Sequence, residues 1–241
     1  MHHTELAGMS YITLHTQADR ATPLENFMKK TRKYLTSNEI ECILNKVEGS
    51  RHAARDRCLI YMCYVHGFRV SELCQLTLQD IDLTDCIINV RRLKNGLSTI
   101  HPLVEREIKL LGNWISERKK WREADSNWLF LSQKGGALSR QQFYDLLKRY
   151  GQMANIPVMP HPHMLRHSCG FQLADLGTDT RLIQDYLGHR NIRHTVLYTA
   201  SNSARFIGVW QKESENNKTL WTKLFNLDDN TLELNKIRFM Y

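Results

Sequence analysis

The spacing of apolar residues along the chain predicts a series of short helices. Apolar side chains recur at helical intervals from Ile40 to Val47, directly behind Thr36 and Glu39, which have the form of a capping box. Similar periodicity covers residues 53–66, 105–119, 139–150, 162–176, 180–187 and 192–199, and a shorter helix is predicted to begin near Ser71. Glycines at 67, 177 and 188 follow three of these segments, where helices commonly end.

Two segments between the helices have the pattern of β-strands. Residues 86–91 and 98–103 flank Asn95-Gly96, a pair that strongly indicates a hairpin because both residues tolerate positive φ. Residues 80–82 are predicted to form a turn, and residues 128–131 a short buried strand. The predicted fold class is therefore mainly α with a small antiparallel β-sheet, an α+β fold.

Changes in composition divide the chain into three parts. Residues 1–34 lack clear periodicity and end in a basic cluster, so we expect an arm that is partly flexible or contacts DNA. Residues 35–212 form the predicted folded domain. Residues 213–241 contain an apolar cluster with helix-compatible spacing, which is expected to dock on a partner protomer.

The charge distribution favours a polyanionic partner. The chain carries a formal charge of +8, and residues 213–241 contribute −1 of it, so the excess positive charge belongs to residues 1–212. The six cysteines form no C-x-x-C pair, which is typical of buried free thiols in a reducing cytosol. Neither a leader peptide nor an apolar run of about 18 residues is visible, so we expect a cytoplasmic protein at the nucleoid and no membrane partner.

The candidate chemistry depends on one tyrosine and five basic residues. Tyr198 follows, in chain order, Arg69, Lys94, His163, Arg166 and His189. A phenol has a pKa of about 10, so it attacks phosphorus near neutral pH only where a base takes its proton and cations hold the phosphate charge. Guanidinium groups bind two phosphate oxygens at once, and imidazole exchanges protons near neutral pH. These six residues therefore predict cleavage of a DNA strand by a tyrosine, without attack by water and without a metal or another cofactor.

The local sequences around these residues carry a family resemblance. They are HGFRVSEL at 66–73, RLKNG at 92–96, HPHMLRH at 161–167 and LGH at 187–189. Residues 35–210 resemble the catalytic domain of the tyrosine recombinase (lambda-integrase) family. Residues 161–204 are especially similar to the fimbrial phase-variation recombinases, which invert a promoter segment. The short segment before the domain also resembles those invertases.

The resemblance implies a role for each catalytic candidate. Arg69 and Arg166 would bind the non-bridging oxygens of one phosphodiester, and Lys94 would protonate the departing 5′ oxygen. His163 would act as a general base toward Tyr198 or hold the phosphate, and His189 would donate a hydrogen bond to that phosphate. Glu72, three residues after Arg69, would orient the arginine cluster.

The resemblance also implies partners and a mode of action. We expect a 3′-phosphotyrosyl intermediate that needs no ATP, a tetramer on DNA sites with inverted repeats, and accessory DNA-bending proteins. Further candidates for DNA contact are basic residues outside the catalytic set: Lys29, Lys30, Arg32, Lys33, Arg91, Arg92, Arg140, Arg190 and Arg193. The expected outcome is inversion of a promoter-bearing segment that controls fimbrial expression.

Several alternatives remain open at the level of sequence. Taken singly, each arginine can be a surface residue, Lys94 a solvated turn residue and His189 a structural cap. His163 and His167 have the i, i+4 spacing of a zinc site, but Met164 occupies the place of the glutamate in H-E-x-x-H and no third ligand suggests itself. His161, His167 and His194 match no catalytic position of the family. The alternative functions are a mobile-element integrase or excisionase, a topoisomerase-like relaxing enzyme, and a catalytically silent DNA-binding regulator.

Overall fold

A computed structural model describes residues 32–93 and 96–200 of the chain. Eight helices begin and end within these ranges: α1 (Ser37–Val47), α2 (Ala53–Val65), α3 (Val70–Cys74), α4 (Glu105–Arg118), α5 (Arg140–Met153), α6 (Pro162–Asp175), α7 (Thr180–Leu187) and α8 (Arg193–Ala200). A 3₁₀ turn at Leu78–Asp80 precedes three short strands, β1 (Ile81–Asp82), β2 (Ile87–Val90) and β3 (Thr99–Pro102). The predicted fold class is confirmed.

Helix α2 forms the centre of the domain. It buries Cys58, Leu59, Ile60, Met62 and Cys63, which lie on several sides of the helix, so it has no continuous polar face. Helices α1, α4 and α6 pack around it. A second, smaller apolar cluster joins α6, α7 and α8 and includes Cys169, Leu187 and Tyr198. The candidate nucleophile therefore belongs to a packed layer at one side of the central helix.

Helix ends follow the local signals in the sequence. Thr36 Oγ1 accepts from Glu39 N, and the Glu39 carboxylate accepts from Thr36 N, which confirms the predicted capping box. Gly67 and Gly188 have φ values of 56° and 65°, in the left-handed region that glycine adopts without steric cost. These two glycines end α2 and α7 and turn the chain toward Arg69 and His189.

The sheet differs from its predicted form in two places. The strands form one antiparallel sheet in the order β1-β2-β3, and Ile81–Asp82 belongs to it as a strand, although a turn was predicted there. Strands β2 and β3 pair in antiparallel register, which confirms the predicted hairpin. Their ladder closes at Val90 and Thr99, so eight residues connect the strands. Residues 128–131 form no strand; Trp128 and Leu131 each make one isolated bridge, to Thr77 and Ala137.

Several predictions fall outside the described ranges. These are Lys94, Asn95, the basic residues Lys29 and Lys30 and the tail at 213–241. All six cysteines are free, but Cys42 is exposed and Cys86 partly exposed, so the expectation of buried thiols is wrong for these two. Within the described ranges, no helix has both the length and the apolar character needed to cross a membrane.

Candidate active site

Arg166 ties together the two turns that precede Arg69 and His189. It lies on α6 with only 2% of its surface exposed, and its Nη1 donates to the carbonyl of Gly67 at 2.5 Å. Its Nη2 donates to the carbonyl of Leu187 at 2.7 Å. Carbonyls at a helix end have no partner within the helix, so an arginine that pairs with two such ends fixes both in space. A guanidinium has five N–H donors, so these two hydrogen bonds do not use all of them.

Arg92 makes a second bridge between the same helix ends. Its Nη2 donates to the carbonyls of His66 and Tyr186 at 2.9 and 2.8 Å, and its Nη1 pairs with Glu72 Oε2 at 3.0 Å. The side chain is fully buried. The prediction that Arg92 contacts DNA is therefore wrong, because its side chain is fully buried and pairs with groups inside the protein.

Glu72 connects the buried Arg92 to the partly exposed Arg69. Its Oε1 pairs with Arg69 Nη1 at 2.6 Å, and its carboxylate also accepts from the backbone N–H groups of Arg69 and Leu93. Burial raises the pKa of Glu72, but the charges of Arg92 and Arg69 and these hydrogen bonds outweigh it and hold the pKa below its usual value. Three guanidinium groups and one carboxylate leave two net positive charges around Arg166, which suits a phosphodiester.

Tyr198 lies on α8 with 2% of its surface exposed and its ring against α6. Its hydroxyl lies 3.0 Å from His167 Nδ1. The rings of Phe171 and His189 lie beside it, with centroid distances of 5.2 and 6.4 Å. On its α6 side, a Cβ atom at Gly170 would stand 2.6–2.7 Å from three ring atoms of Tyr198, so only glycine leaves room for the phenol. Tyr198 therefore lies among the predicted site residues.

The protonation states follow from burial and from the arginines. Burial raises the pKa of Tyr198 to about 12, although Arg166 opposes this, so the phenol keeps its proton without DNA. Burial and then the charges of Arg92 and Arg69 lower the pKa of Arg166 to about 10, which leaves it charged near neutral pH. Burial and the same arginine cluster lower the pKa of His189 to about 3, so this imidazole is neutral. Its Nδ1 lies 2.9 Å from Thr195 Oγ1, which leaves Nε2 for another partner.

The structure brings four of the six catalytic candidates to one region. Arg69, Arg166, His189 and Tyr198 meet at the ends of α2 and α7, and Lys94 lies outside the described residues. His163 lies on α6 with part of its surface exposed, and its ring centroid is 4.5 Å from that of His167; partial burial of the ring and the charge of Arg166 lower its pKa. Sequence reasoning missed His167, whose only signal was its position one turn after His163 on the same helix.

The remaining DNA-contact candidates differ in their surroundings. Arg140, Arg190 and Arg193 are exposed, and Arg91 is 62% exposed while it pairs with Asp80 at 2.6 Å. Their contact with DNA stays a prediction. Within the residues that the structure describes, no three His, Cys, Asp or Glu side chains are grouped in a way that could hold a metal ion, and His163 and His167 have no third ligand.

The sequence pattern of the phage integrase family matches residues 33–205, which include all six catalytic candidates. The chain belongs to this family, and it is a tyrosine recombinase. The family resemblance inferred from the local sequences is therefore confirmed.

Individual tyrosine recombinases and their relatives agree with this assignment. The type 1 fimbriae regulatory protein FimB of Escherichia coli K12 is 55% identical over 183 residues, which cover 76% of this chain and 92% of FimB. FimE of the same strain is 51% identical over 190 residues, 78% of this chain and 96% of FimE. The crystal structure of XerA recombinase superimposes with a TM-score of 0.65 at 28% identity, covering 75% of this chain and 64% of XerA. XerH recombinase bound to its difH substrate gives a TM-score of 0.61 at 28% identity, covering 75% of this chain and 54% of XerH.

Proposed function

We propose that this recombinase inverts a promoter-bearing DNA segment between short inverted repeats and so controls fimbrial expression. The chemistry is supported by one observation above all: Arg166 joins the turns before Arg69 and His189 while Tyr198 packs against the same helix. The biological role is supported by the similarity to FimB and FimE, each described as a type 1 fimbriae regulatory protein.

In the proposed reaction, Arg69 and Arg166 bind the non-bridging oxygens of the scissile phosphate. Arg166 stays charged near neutral pH, and preorganised charges stabilise a transition state without reorganisation when the reaction occurs. His189 donates from its Nε2 to the same phosphate while its Nδ1 contacts Thr195, and Glu72 keeps Arg69 oriented. His163 either takes the phenolic proton or holds the phosphate, and Lys94 protonates the departing 5′ oxygen.

The attack of Tyr198 forms a 3′-phosphotyrosyl bond and releases a 5′ hydroxyl. Because the phosphodiester energy is kept in that bond, a 5′ hydroxyl from a second strand reverses the step without ATP, metal or other cofactor. Exchange between two duplexes needs four active sites, so we propose a tetramer on paired sites, assisted by DNA-bending proteins. Action at the nucleoid in the cytoplasm fits a DNA substrate and six free cysteines.

The sharpest test recovers the DNA sites directly. The purified protein is incubated with genomic DNA, the reaction is stopped with denaturant, and the strands linked to protein are isolated and sequenced. Two clusters of ends in opposed repeats, flanking a promoter, are expected. A Tyr198→Phe protein is the control and should yield no linked ends although it binds DNA. Ends at unpaired or directly repeated sites would indicate integration or excision instead, and scattered ends would indicate relaxation.

A further inference from the structure

The carbonyl groups at the end of α2 receive hydrogen bonds from side chains of other elements, because carbonyls at a helix end have no partner within the helix. The carbonyls of the two residues that follow α2 accept from Arg92 and Arg166. The carbonyl of Val65 accepts from the hydroxyl of Tyr186 on α7, at 3.0 Å. The same hydroxyl is 3.4 Å from His66 Nδ1, which is a longer and weaker contact. Neither the family motifs nor the proposed reaction gives Tyr186 a role.

Both the side chain and the main chain of Tyr186 are fixed. Its ring stacks on that of His101 in β3, with a centroid distance of 3.9 Å and an interplanar angle of 21°. Its main-chain carbonyl accepts from Arg92 Nη2 at 2.8 Å. The thiol of Cys169 also lies 3.1 Å from the Val65 carbonyl oxygen, but a thiol is a weak donor, so the phenol is the stronger partner. Tyr186 therefore caps the end of α2 and is itself capped at the end of α7.

We propose that Tyr186 is a positioning residue that keeps His189 aligned with the phosphate that Arg166 binds. This inference rests on the proposed strand-cleavage function and adds a residue that acts through His189. Two residues separate Tyr186 from His189, and Arg166 donates to the carbonyl of the first of them, Leu187, at 2.7 Å. The turn that carries His189 is thus anchored to the end of α2 by Tyr186 and to α6 by Arg166.

The two anchors restrict different movements of α7. Carbonyl groups point along a helix axis, so the bond from Arg166 fixes the position of the helix end along that axis. Side chains project sideways, so the bond from the Tyr186 hydroxyl to α2 fixes the rotation of α7 about the axis. Leu187 packs so close to Gly67 that no Cβ atom fits there. The two helix ends are therefore in contact, and a small rotation of α7 moves the turn that leads to His189.

Loss of the hydroxyl alone leaves the other contacts of Tyr186 in place. In Tyr186→Phe the ring still stacks on His101, and the main-chain carbonyl still accepts from Arg92. Arg166 keeps both of its carbonyl partners, so the groups that hold the phosphate remain. The turn with His189 gains freedom to rotate. We therefore expect the chemical step to slow while DNA affinity stays unchanged, because a misplacement of about 1 Å can cost about 100-fold in rate.

The discriminating measurement is the rate of covalent adduct formation in single turnover. The probe is a duplex carrying the strand ends recovered with the wild-type protein. For Tyr186→Phe, the rate at saturating protein should fall by more than about threefold, on the order of tenfold, and the half-saturating concentration should not change. Tyr150→Phe is the matched control, because the Tyr150 hydroxyl donates to Asp56 at 2.8 Å, near the opposite end of α2. This control also loses a buried hydroxyl bond to α2, and it should react at the wild-type rate.

Two further readouts separate positioning from a general loss of structure. In a His189→Ala protein, the addition of Tyr186→Phe should change the rate by less than about twofold, because the group that Tyr186 positions is absent. In the protein without DNA, the main-chain N–H of His189 donates to Gln184 at 3.0 Å, and its hydrogen exchange should become about fivefold faster in Tyr186→Phe. The N–H of Thr178 makes the equivalent bond at the end of α6, also 3.0 Å long, and its exchange should not change.

Four results would overturn the inference. They are a Tyr186→Phe rate within about threefold of wild type, a full additional loss of rate in the His189→Ala protein, unchanged hydrogen exchange at His189, and a Tyr150→Phe protein as slow as Tyr186→Phe. Each would reduce the Tyr186 hydroxyl to a structural contact. If the wild-type protein formed no adduct on any DNA, the proposed function would fail, and hydrogen exchange at His189 would still test the link between the two helix ends.

Discussion

Replacement of Arg92 by alanine is expected to destabilise the fold rather than weaken DNA binding directly. Arg92 bridges the ends of α2 and α7 and pairs with Glu72, and both side chains are fully buried. Arg91, its neighbour in the chain, points to solvent and pairs with Asp80. Both variants remove one positive charge at adjacent positions, so the comparison of Arg92→Ala with Arg91→Ala shows how much burial of the side chain contributes to stability.

The structure sets the magnitude of this effect. Removing one partner of a buried ion pair costs about 3–5 kcal/mol, and here two main-chain carbonyls also lose a donor. Glu72 keeps its bond to Arg69, so we take this range as the total and do not add the carbonyls separately. At about 2–4 °C per kcal/mol for a domain of this size, the melting temperature should fall by roughly 6–20 °C. For Arg91→Ala, an exposed pair predicts about 0–1 kcal/mol.

Urea and thermal unfolding followed by circular dichroism measure both variants, and DNA affinity as a function of salt is measured in parallel. An arginine that contacted one phosphate would leave the stability intact and reduce the slope of log affinity against log salt by about 1. If Arg92→Ala melted within about 2 °C of wild type and showed that smaller slope, the assignment of Arg92 to the interior would be refuted.

Four further predictions concern a buried histidine, two helical glycines and the DNA surface. Burial, then His66 and Arg92, lower the pKa of His101 to about 3. The unfolded chain therefore binds one more proton than the folded chain between pH 6.5 and 3, so the free energy of unfolding falls as pH falls through that window. In His101→Gln, the slope of the free energy of unfolding against pH, measured by urea unfolding, should be shallower by about 1.4 kcal/mol per pH unit. Gly170→Ala should cost about 1–3 kcal/mol, because its methyl group overlaps the Tyr198 ring. Gly112→Ala, in helix α4 with no atom within 4 Å, should gain about 0.5–1 kcal/mol in the same assay. Arg193→Ala, at the exposed start of α8, should weaken binding to all DNA sequences alike and lower the salt slope by about 1.

Features set by neighbours in the sequence could be predicted, and features set by distant packing could not. The capping box at Thr36 and Glu39 and the helix stop at Gly188 depend on a few adjacent residues, and both are present. The hairpin predicted from Asn95-Gly96 is present, but its connection is longer than a two-residue turn because the chain leaves the ladder after Val90. Arg92 N donates to Ser98 Oγ at 3.1 Å, and its side chain turns into the core. The local sequence gives no signal that the carbonyl of His66 at the end of α2, 26 residues away, pairs with this arginine.

In the candidate site, too, the sequence motifs could be predicted and the effects of distant packing could not. The order of Arg69, Arg166, His189 and Tyr198 in the chain predicted the residues that the structure brings together, since their motifs are specific. The motif did not separate the roles of neighbouring histidines, because His163 and His167 lie on one helix and only the packing of α8 decides which of them meets the phenol. The prediction of DNA contact was wrong for Arg92 for a related reason, because the charge of a residue in the sequence does not show whether its side chain is buried.

The most direct test of the account is to identify the residue that becomes joined to DNA. After incubation with the recovered site, the trapped adduct is digested with nuclease and trypsin, and the peptide covering residues 194–205 is fragmented in a mass spectrometer. The account predicts a 3′-phosphonucleotide on the phenolic oxygen of Tyr198, in the wild-type protein and not in Tyr198→Phe. A nucleotide on any other residue, or an adduct that persists in Tyr198→Phe, would contradict it.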